Sequence, residues 1–334
     1  MKELALGIDI GGTNTVFGLV DEKGNIFFQN SFKTKNYSNP NDLAKVIYDK
    51  WLEIKPKLKE NEKLKGVGIG APNGNYFTGC VEFAPNLNWN KKVPLKSIFE
   101  KYFKVPVYLN NDANAATIGE MMFGAAKKYK DFIFITIGTG LGSGFVSNGK
   151  LIYGYKGLAG EFGHTLHIPN GRLCGCGKKG CLEAYVSANG IKNTAIEILK
   201  NSKIKSLLRN FSNSELTPKL IYKAALKKDK LAIRVFNITG EILGTKLADA
   251  VLITNPQAII LFGGISNAGK LLIKPIKNAM ENNLLPVFKN CVKIIQSKLL
   301  DKNAAVLGAA AMVWQKWLNN LNSELLTPCS LESR

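Results

Sequence analysis

The chain has 334 residues and 46% apolar side chains, enough for two domains with ordinary cores rather than one. Its longest apolar run, residues 304–314, falls short of the 18 or so residues that span a bilayer, and Asp9 interrupts the apolar stretch an amino-terminal leader would need, so a soluble cytoplasmic protein without membrane partners is expected. The formal charge of +20 is spread thinly from Lys23 to Lys316, with its densest patches at 55–65 and 200–209 reading as solvated helix faces, so no nucleic-acid partner is expected.

In chain order, apolar strands at about 4–10, 15–20 and 25–33 alternate with glycine turns as hairpins. A helix at about 40–59 follows, opened by "SNPND". Then come a buried strand, "GVGIGAP" (66–72), and a second, "VPVYLNND" (105–112), which runs into a helix "ANAATIGEMMFGAA" (113–126). After Tyr129 the opening plan returns. "FIFITIGTGLGSGFVSNGKLIYG" again gives apolar strand, glycine turn, strand, polar turn and short strand, which suggests two related lobes. The remainder reads as helices at about 183–200, 217–227 and 229–253, the strand "AIILFGG", a helix near 268–282, the strand "VKIIQS" and a closing helix at about 303–319. The expected lobes are 1–117, with a helix at about 303–320 packing back on it, and 118–302, which is larger; 321–334 is expected to be a loose tail.

Both glycine turns, "DIGGTN" (9–14) and "GTGLGSG" (138–144), follow apolar strands directly. Neither matches G-x-x-x-x-G-K-[ST] or G-x-G-x-x-G. Without a Cβ, such turns let backbone N–H groups approach phosphate oxygens, while Thr13 and Thr139 add hydroxyl donors. Asp9 sits where a carboxylate could hold the water shell of a Mg²⁺ on those phosphates. Two turns of this kind favour a nucleotide, and a third glycine element, "FGGIS" (262–266), could host adenine and ribose.

"EFGHTLHIPNGRLCGCGKKGCLEAY" (161–185) holds both histidines and three of the six cysteines. Cys174, Cys176 and Cys181 in C-x-C-x₄-C, with either His164 or His167, supply the four ligands of a closed structural Zn²⁺ site. With all four positions filled by protein, such an ion has no place for a reactive water. Cys80, Cys291 and Cys329 lie outside the cluster and fit a reducing compartment.

"DIGGT", "NNDANAA", "GTGLGSG", "GEFGH", "CGCGKKGCLE" and "FGGI", in this order from about Leu4 to Trp314, resemble the ROK family of bacterial glucokinases, N-acetyl amino-sugar kinases and sugar-responsive repressors. The resemblance implies an α/β fold with two ribonuclease-H-like lobes, of the actin and hexokinase ATPase type, around a central cleft, and commonly a homodimer. It implies Asp112 as the catalytic base and Asn86, Asn111, Asp112, Glu161, His164 and Glu183 as sugar contacts. Asp9, Gly11, Gly12, Thr13, Gly138, Thr139 and Gly140 are implied around the ATP phosphates and Mg²⁺, and Gly263 and Gly264 near the adenosine. It also selects His164 as the histidine ligand of the zinc. Asn73 stands in "GIGAPN" where many relatives have glycine; asparagine tolerates left-handed backbone, so the turn should survive. A helix start at Asp112 should hold its pKa low. In a loose phosphoryl-transfer transition state, where the hydroxyl becomes acidic late, position matters more than basicity.

The expected activity is ATP-dependent phosphorylation of a hexose, with the 6-hydroxyl of glucose as acceptor. N-acetylglucosamine or N-acetylmannosamine is the alternative acceptor. A non-catalytic sugar-responsive regulator is a remote alternative, since a helix-turn-helix domain has no room before Asp9 and the aspartate at 112 is present.

Overall fold

The computed structural model describes residues 2–60, 62–89, 91–299 and 303–324, with side chains of the last helix described through Gln315. The chain divides into two compact units. One comprises the residues up to Lys127, Tyr155–Gly157 and the closing helix; the other comprises Lys128–Gly154 and the residues from Leu158 onward to the closing helix.

The first unit is built on β1 (Lys2–Ile10), β2 (Asn14–Asp21), β3 (Ile26–Lys33), β4 (Glu62–Gly70) and, after a small three-stranded sheet, a further strand at Val107–Asn110. The small sheet consists of β5 (Gly74–Asn75), β6 (Cys80–Glu82) and β7 (Lys92–Val93), so the strand at 107–110 is β8. The main order is β3-β2-β1-β4-β8, with β1–β3 an antiparallel meander and β1, β4 and β8 parallel. Helix α1 (Pro40–Ile54) starts where the Asn39 side chain accepts the N–H of Asn41, with Pro40 in the first turn. It buries Leu43, Ala44, Ile47 and Trp51. The helix stops before the expected 59, because Pro56 has no N–H to continue the ladder and Lys55–Lys57 form a 3₁₀ turn. α2 (Leu95–Phe103) and α3 (Asp112–Phe123) complete this unit before the crossing at Lys127.

The closing helix, Ala304–Glu324, lies on β1, β4 and α3. Its small residues meet a glycine surface. A Cβ on Gly7 would strike the Val306 carbonyl, one on Gly68 the Ala309 carbonyl, and one on Gly119 would lie 2.7 Å from the Gly308 Cα. Replacing Gly68 by alanine is therefore expected to lower stability by about 2 kcal/mol or more, read as a lower denaturation midpoint at unchanged slope. The helix continues through Glu324, past the start of the expected tail at 321, since no glycine or proline interrupts it before Pro328; residues 325–334 lie outside the described ones. The unit boundary falls later than the expected 117/118, because α3 runs on to Phe123 and packs against the closing helix.

The second unit repeats the plan. β9 (Phe132–Ile137), β10 (Leu141–Ser147) and β11 (Lys150–Leu151) form an antiparallel meander, and β12 (Ala258–Phe262) and β13 (Lys293–Gln296) extend it in parallel, in the order β11-β10-β9-β12-β13. The glycine turns thus occupy the same place in each sheet. The expected helix at 183–200 is two helices, α4 (Glu183–Val186) and α5 (Ala188–Asn201). Ser187 is extended between them, and its side chain caps α5 at the N–H of Gly190. Helices α6 (Pro218–Leu226), α7 (Lys230–Thr254) and α8 (Lys270–Asn282) follow. Among the described residues no helix is long and apolar enough to cross a membrane.

Candidate functional site

In the first unit, three parallel strands end together. Asp9 of β1 pairs in register with Gly70 of β4, and Gly70 with Asn110 of β8. The chain leaves β8 through Asn111, the N-cap of α3, whose Oδ1 accepts the N–H of Ala113 at 2.8 Å. Asp112 is then the first helical residue, and its Oδ1 shares the same N–H at 2.8 Å. A Cβ on Gly70 would lie 3.7 Å from Asp9 Oδ1 and 3.8 Å from the Asp112 Cα, so this glycine sits between Asp9 and the start of α3.

The electrostatics follow from that crowding. Burial, and next the Asp112 charge, push the Asp9 carboxyl up to about 7. The Asp112 carboxyl is also raised: loss of water around it outweighs the stabilisation by backbone N–H groups at the helix start. The low pKa expected from the helix start is thus corrected, although the Asp112 side chain reaches solvent. Two acids held adjacent, with no cation among the causes of either shift, are a donor set suited to a divalent ion.

The turn after β1 bonds back on itself, with Gly11 N–H donating to the Asn14 carbonyl at 3.0 Å. A Cβ on Gly12 would sit 2.6 Å from the Asn86 carbonyl, so this glycine lets Asn86 approach the turn. Thr13 and Asn86 side chains are exposed. Asn73 does adopt the left-handed region, at φ 52°, and its Nδ2 bonds the carbonyls of Glu82 at 3.0 Å and Phe83 at 3.3 Å.

In the second unit the turn of Gly138, Thr139 and Gly140 closes through Gly138 N–H to the Gly140 carbonyl at 3.0 Å. The Gly138 carbonyl accepts Ala188 N–H at 2.9 Å, so the break between α4 and α5 is what secures this turn. Glu183 Oε2 accepts the Leu141 N–H at 2.9 Å, and a Cβ on Gly140 would lie 2.6 Å from that oxygen. The glycine turn and the acidic end of the cysteine loop are therefore in direct contact. Gly138 and Gly264 border a cavity of about 510 Å³, lined also by Thr217, Lys219, Tyr222 and Phe236. Its lining is mostly apolar, as a nucleobase requires. Gly263 is not among its lining residues; at φ 93° it brings the chain against Ile137, where a Cβ would collide with the carbonyl.

His164, Cys174, Cys176 and Cys181 converge, with their four candidate ligand atoms within 4.8 Å of one another. Cys176 and Cys181 sulfurs are 3.7 Å apart, and Cys174 Sγ is 3.8 Å from His164 Nδ1. Tetrahedral ligands about 2.3 Å from a zinc would be separated by roughly 3.8 Å, so the set fits that ion. Burial pushes the Cys174 thiol up to about 12, which is the setting in which a cation is needed to hold it as thiolate. His164 Nε2 faces Glu161, 3.9 Å from its Oε2. His167 instead packs edge-on against Tyr185, with ring centroids 5.0 Å apart, outside the cluster.

Glu161 is exposed and bracketed by Ser143, whose hydroxyl donates to the Gly160 carbonyl and accepts the Phe162 N–H at 3.3 Å. Ser143 was not singled out from the sequence, nor were Thr217, Lys219, Tyr222 and Phe236 around the cavity. Thr217–Pro218 announces a helix start, but nothing local says that this turn faces a cavity.

A model of the ROK family matches residues 5–316. The chain is 33% identical to the glucokinase of Thermotoga maritima, over 93% of this chain and 97% of that one. It is 32% identical to the xylose repressor of Caldicellulosiruptor bescii, over 92% of this chain and 77% of that one. Among solved structures, it resembles a ROK family glucokinase from Streptomyces griseus in complex with glucose and AMPPNP. The TM-score is 0.73 and the identity 35%, covering 93% of this chain and 99% of that one.

Proposed function

This chain belongs to the ROK family, and from that premise we propose that it is a glucokinase, moving the γ-phosphoryl group of ATP to the 6-hydroxyl of glucose with Asp112 as base. That it is a sugar phosphotransferase follows from its glucokinase relatives. The observation that supports Asp112 as base is its place just after the shared end of β1, β4 and β8, where its charge acts on Asp9 and it reaches solvent.

In this reading the N–H groups of Gly11–Thr13 and Gly138–Gly140 hold phosphate oxygens, and the cavity beside Gly138 and Gly264 takes the adenosine. Asp9 would hold Mg²⁺ through its waters, and the ion would supply neutralising charge at the phosphates. Asn86, Asn111, Glu161, His164 and Glu183 orient the sugar through hydroxyl hydrogen bonds, those to carboxylates being charge-assisted. As the sugar oxygen bonds to the γ-phosphorus, the bond from that phosphorus to the β-phosphate oxygen breaks, and the hydroxyl proton passes to Asp112. Cys174, Cys176, Cys181 and His164 would hold a structural zinc, about one per chain by metal analysis. The resemblance completes the reading with a cytoplasmic homodimer.

Phosphorus NMR of the product tests the regiochemistry: glucose 6-phosphate is expected, and a phosphate on any other oxygen contradicts the assignment. The pH profile tests the acids. Both must be ionised, and both are raised in the folded protein, so kcat/KM at limiting Mg²⁺ is expected to fall as pH drops through about 7. Saturating Mg²⁺ favours the ionised form and should move that acid limb to lower pH. A limb fixed near 4, the ordinary carboxylate value, at every Mg²⁺ concentration would contradict it.

A further inference from the structure

The loop from Glu161 to Glu183 has an anchor besides the cysteine cluster. Arg172 lies two residues before the first cysteine, and its guanidinium has five N–H donors. Nε bonds Glu197 Oε1 at 3.0 Å and Nη2 bonds Glu197 Oε2 at 2.6 Å. Nη1 bonds the carbonyls of Ala184 at 3.3 Å and Gly190 at 3.1 Å, and Nη2 also bonds Thr194 Oγ1 at 3.0 Å. The guanidinium carbon sits over the Tyr185 ring, 4.6 Å from its centroid. The Tyr185 hydroxyl accepts the backbone N–H of Arg172 at 2.8 Å.

These contacts tie three pieces together. Ala184 follows Glu183 on α4, Gly190 and Thr194 are on α5, and Arg172 is on the loop. The Arg172 carbonyl in turn accepts Gly180 N–H at 2.8 Å, and the Gly180 carbonyl accepts His167 N–H at 2.8 Å. The base of the cysteine hairpin is thus held to the helix that carries Glu183 by groups that bind no metal. Glu197 is largely exposed, which weakens a simple ion pair. A two-pronged carboxylate pair with two carbonyls and a ring beneath is a fixed geometry that only guanidinium fills.

We propose that Arg172 is a positioning residue for sugar binding, clamping the hairpin base and α4 so that Glu183 keeps its place independently of the metal, while His164 depends on the metal. The cysteine cluster orders the tip of the hairpin; the Arg172 clamp orders its base.

The affinity part of the test rests on the reading of Glu183 as a sugar contact, and the exchange part does not. Hydrogen exchange is followed in full-length protein after treatment with a zinc chelator, in wild type, Arg172→Gln and Glu197→Gln. Chelated wild type is expected to keep protection at residues 180–186, and both chelated variants to exchange there about tenfold faster or more. In metal-replete protein, Arg172→Lys and Glu197→Gln should raise the sugar KM about tenfold, from the loss of a charge-assisted hydrogen bond. Their sugar KM should rise well above any change in the ATP KM, since Glu183 and Ala188 also brace the glycine turn, with kcat near wild type, a split that a general loss of stability would not produce. Should Arg172→Gln not fold, Glu197→Gln carries both arms, since it alters an exposed side chain. Equal exchange in chelated wild type and Glu197→Gln overturns the clamp. Faster exchange with an unchanged sugar KM overturns its role in sugar binding. If wild type phosphorylates no sugar, the functional reading fails while the exchange result still decides the clamp.

Discussion

Asp112→Asn is expected to lower kcat for glucose phosphorylation by about 10³-fold, within the range for loss of a general base, while glucose affinity measured at equilibrium changes little. The substitution keeps size and shape. Asn111, not Asp112, caps α3, so the helix start survives. The side-chain oxygen of asparagine can also still accept the Ala113 N–H that Asp112 now receives at 2.8 Å. What is removed is the capacity to take a proton. The raised pKa of Asp112 serves that capacity, since a carboxyl closer to neutrality takes a proton more readily than one pinned low by a helix start. A kcat within a few-fold of wild type would remove Asp112 from the base role.

Cys176→Ser is expected to release the zinc and raise the sugar KM by about 10²-fold, equivalent to losing two charge-assisted hydrogen bonds. His164 joins the two effects. Its Nδ1 faces Cys174 and its Nε2 faces Glu161, so a ring freed from the metal no longer presents a fixed nitrogen to the sugar. The nucleotide should be affected less than the sugar, because apart from Ala188 at the start of α5 the cavity is lined from α6, α7 and the turns after β9 and β12, and the loop reaches the glycine turn only through Glu183. Metal analysis, sugar affinity and ATP affinity together check this. Normal sugar affinity in a zinc-free Cys176→Ser protein would break the proposed link.

The parts of this molecule that were legible in the sequence are those written in short contiguous runs. Asp9 with its glycine turn, "NNDANAA" and the three cysteines at 174–181 each place several chemical groups within a dozen residues, so spacing shows what one turn or hairpin brings together, though it left His164 and His167 undecided as the fourth ligand. The repeated sheet plan was legible for the same reason, since two meanders with glycine turns leave a visible pattern. The rest depends on packing between distant segments. Ser187 splits a stretch that reads as one helix, and the split matters because Ala188 then reaches the Gly138 carbonyl, fifty residues earlier in the chain. Arg172 reads as one more charge on a basic chain until Glu197 and Tyr185 are beside it. The small sheet of β5–β7 has strands of two or three residues, too short for any alternation to show. Gly263 was placed near the adenosine by its motif, yet its backbone serves the approach of β12 to Ile137, and its neighbour Gly264 borders the cavity.

The central claim, a kinase whose acceptor is glucose, is tested most directly by a coupled assay of the purified chain with ATP, Mg²⁺ and a panel of glucose, mannose, N-acetylglucosamine and N-acetylmannosamine. The predicted result is turnover with the highest kcat/KM on glucose. A higher value on an N-acetyl sugar would contradict the acceptor, and no turnover on any of the four would contradict the kinase reading itself.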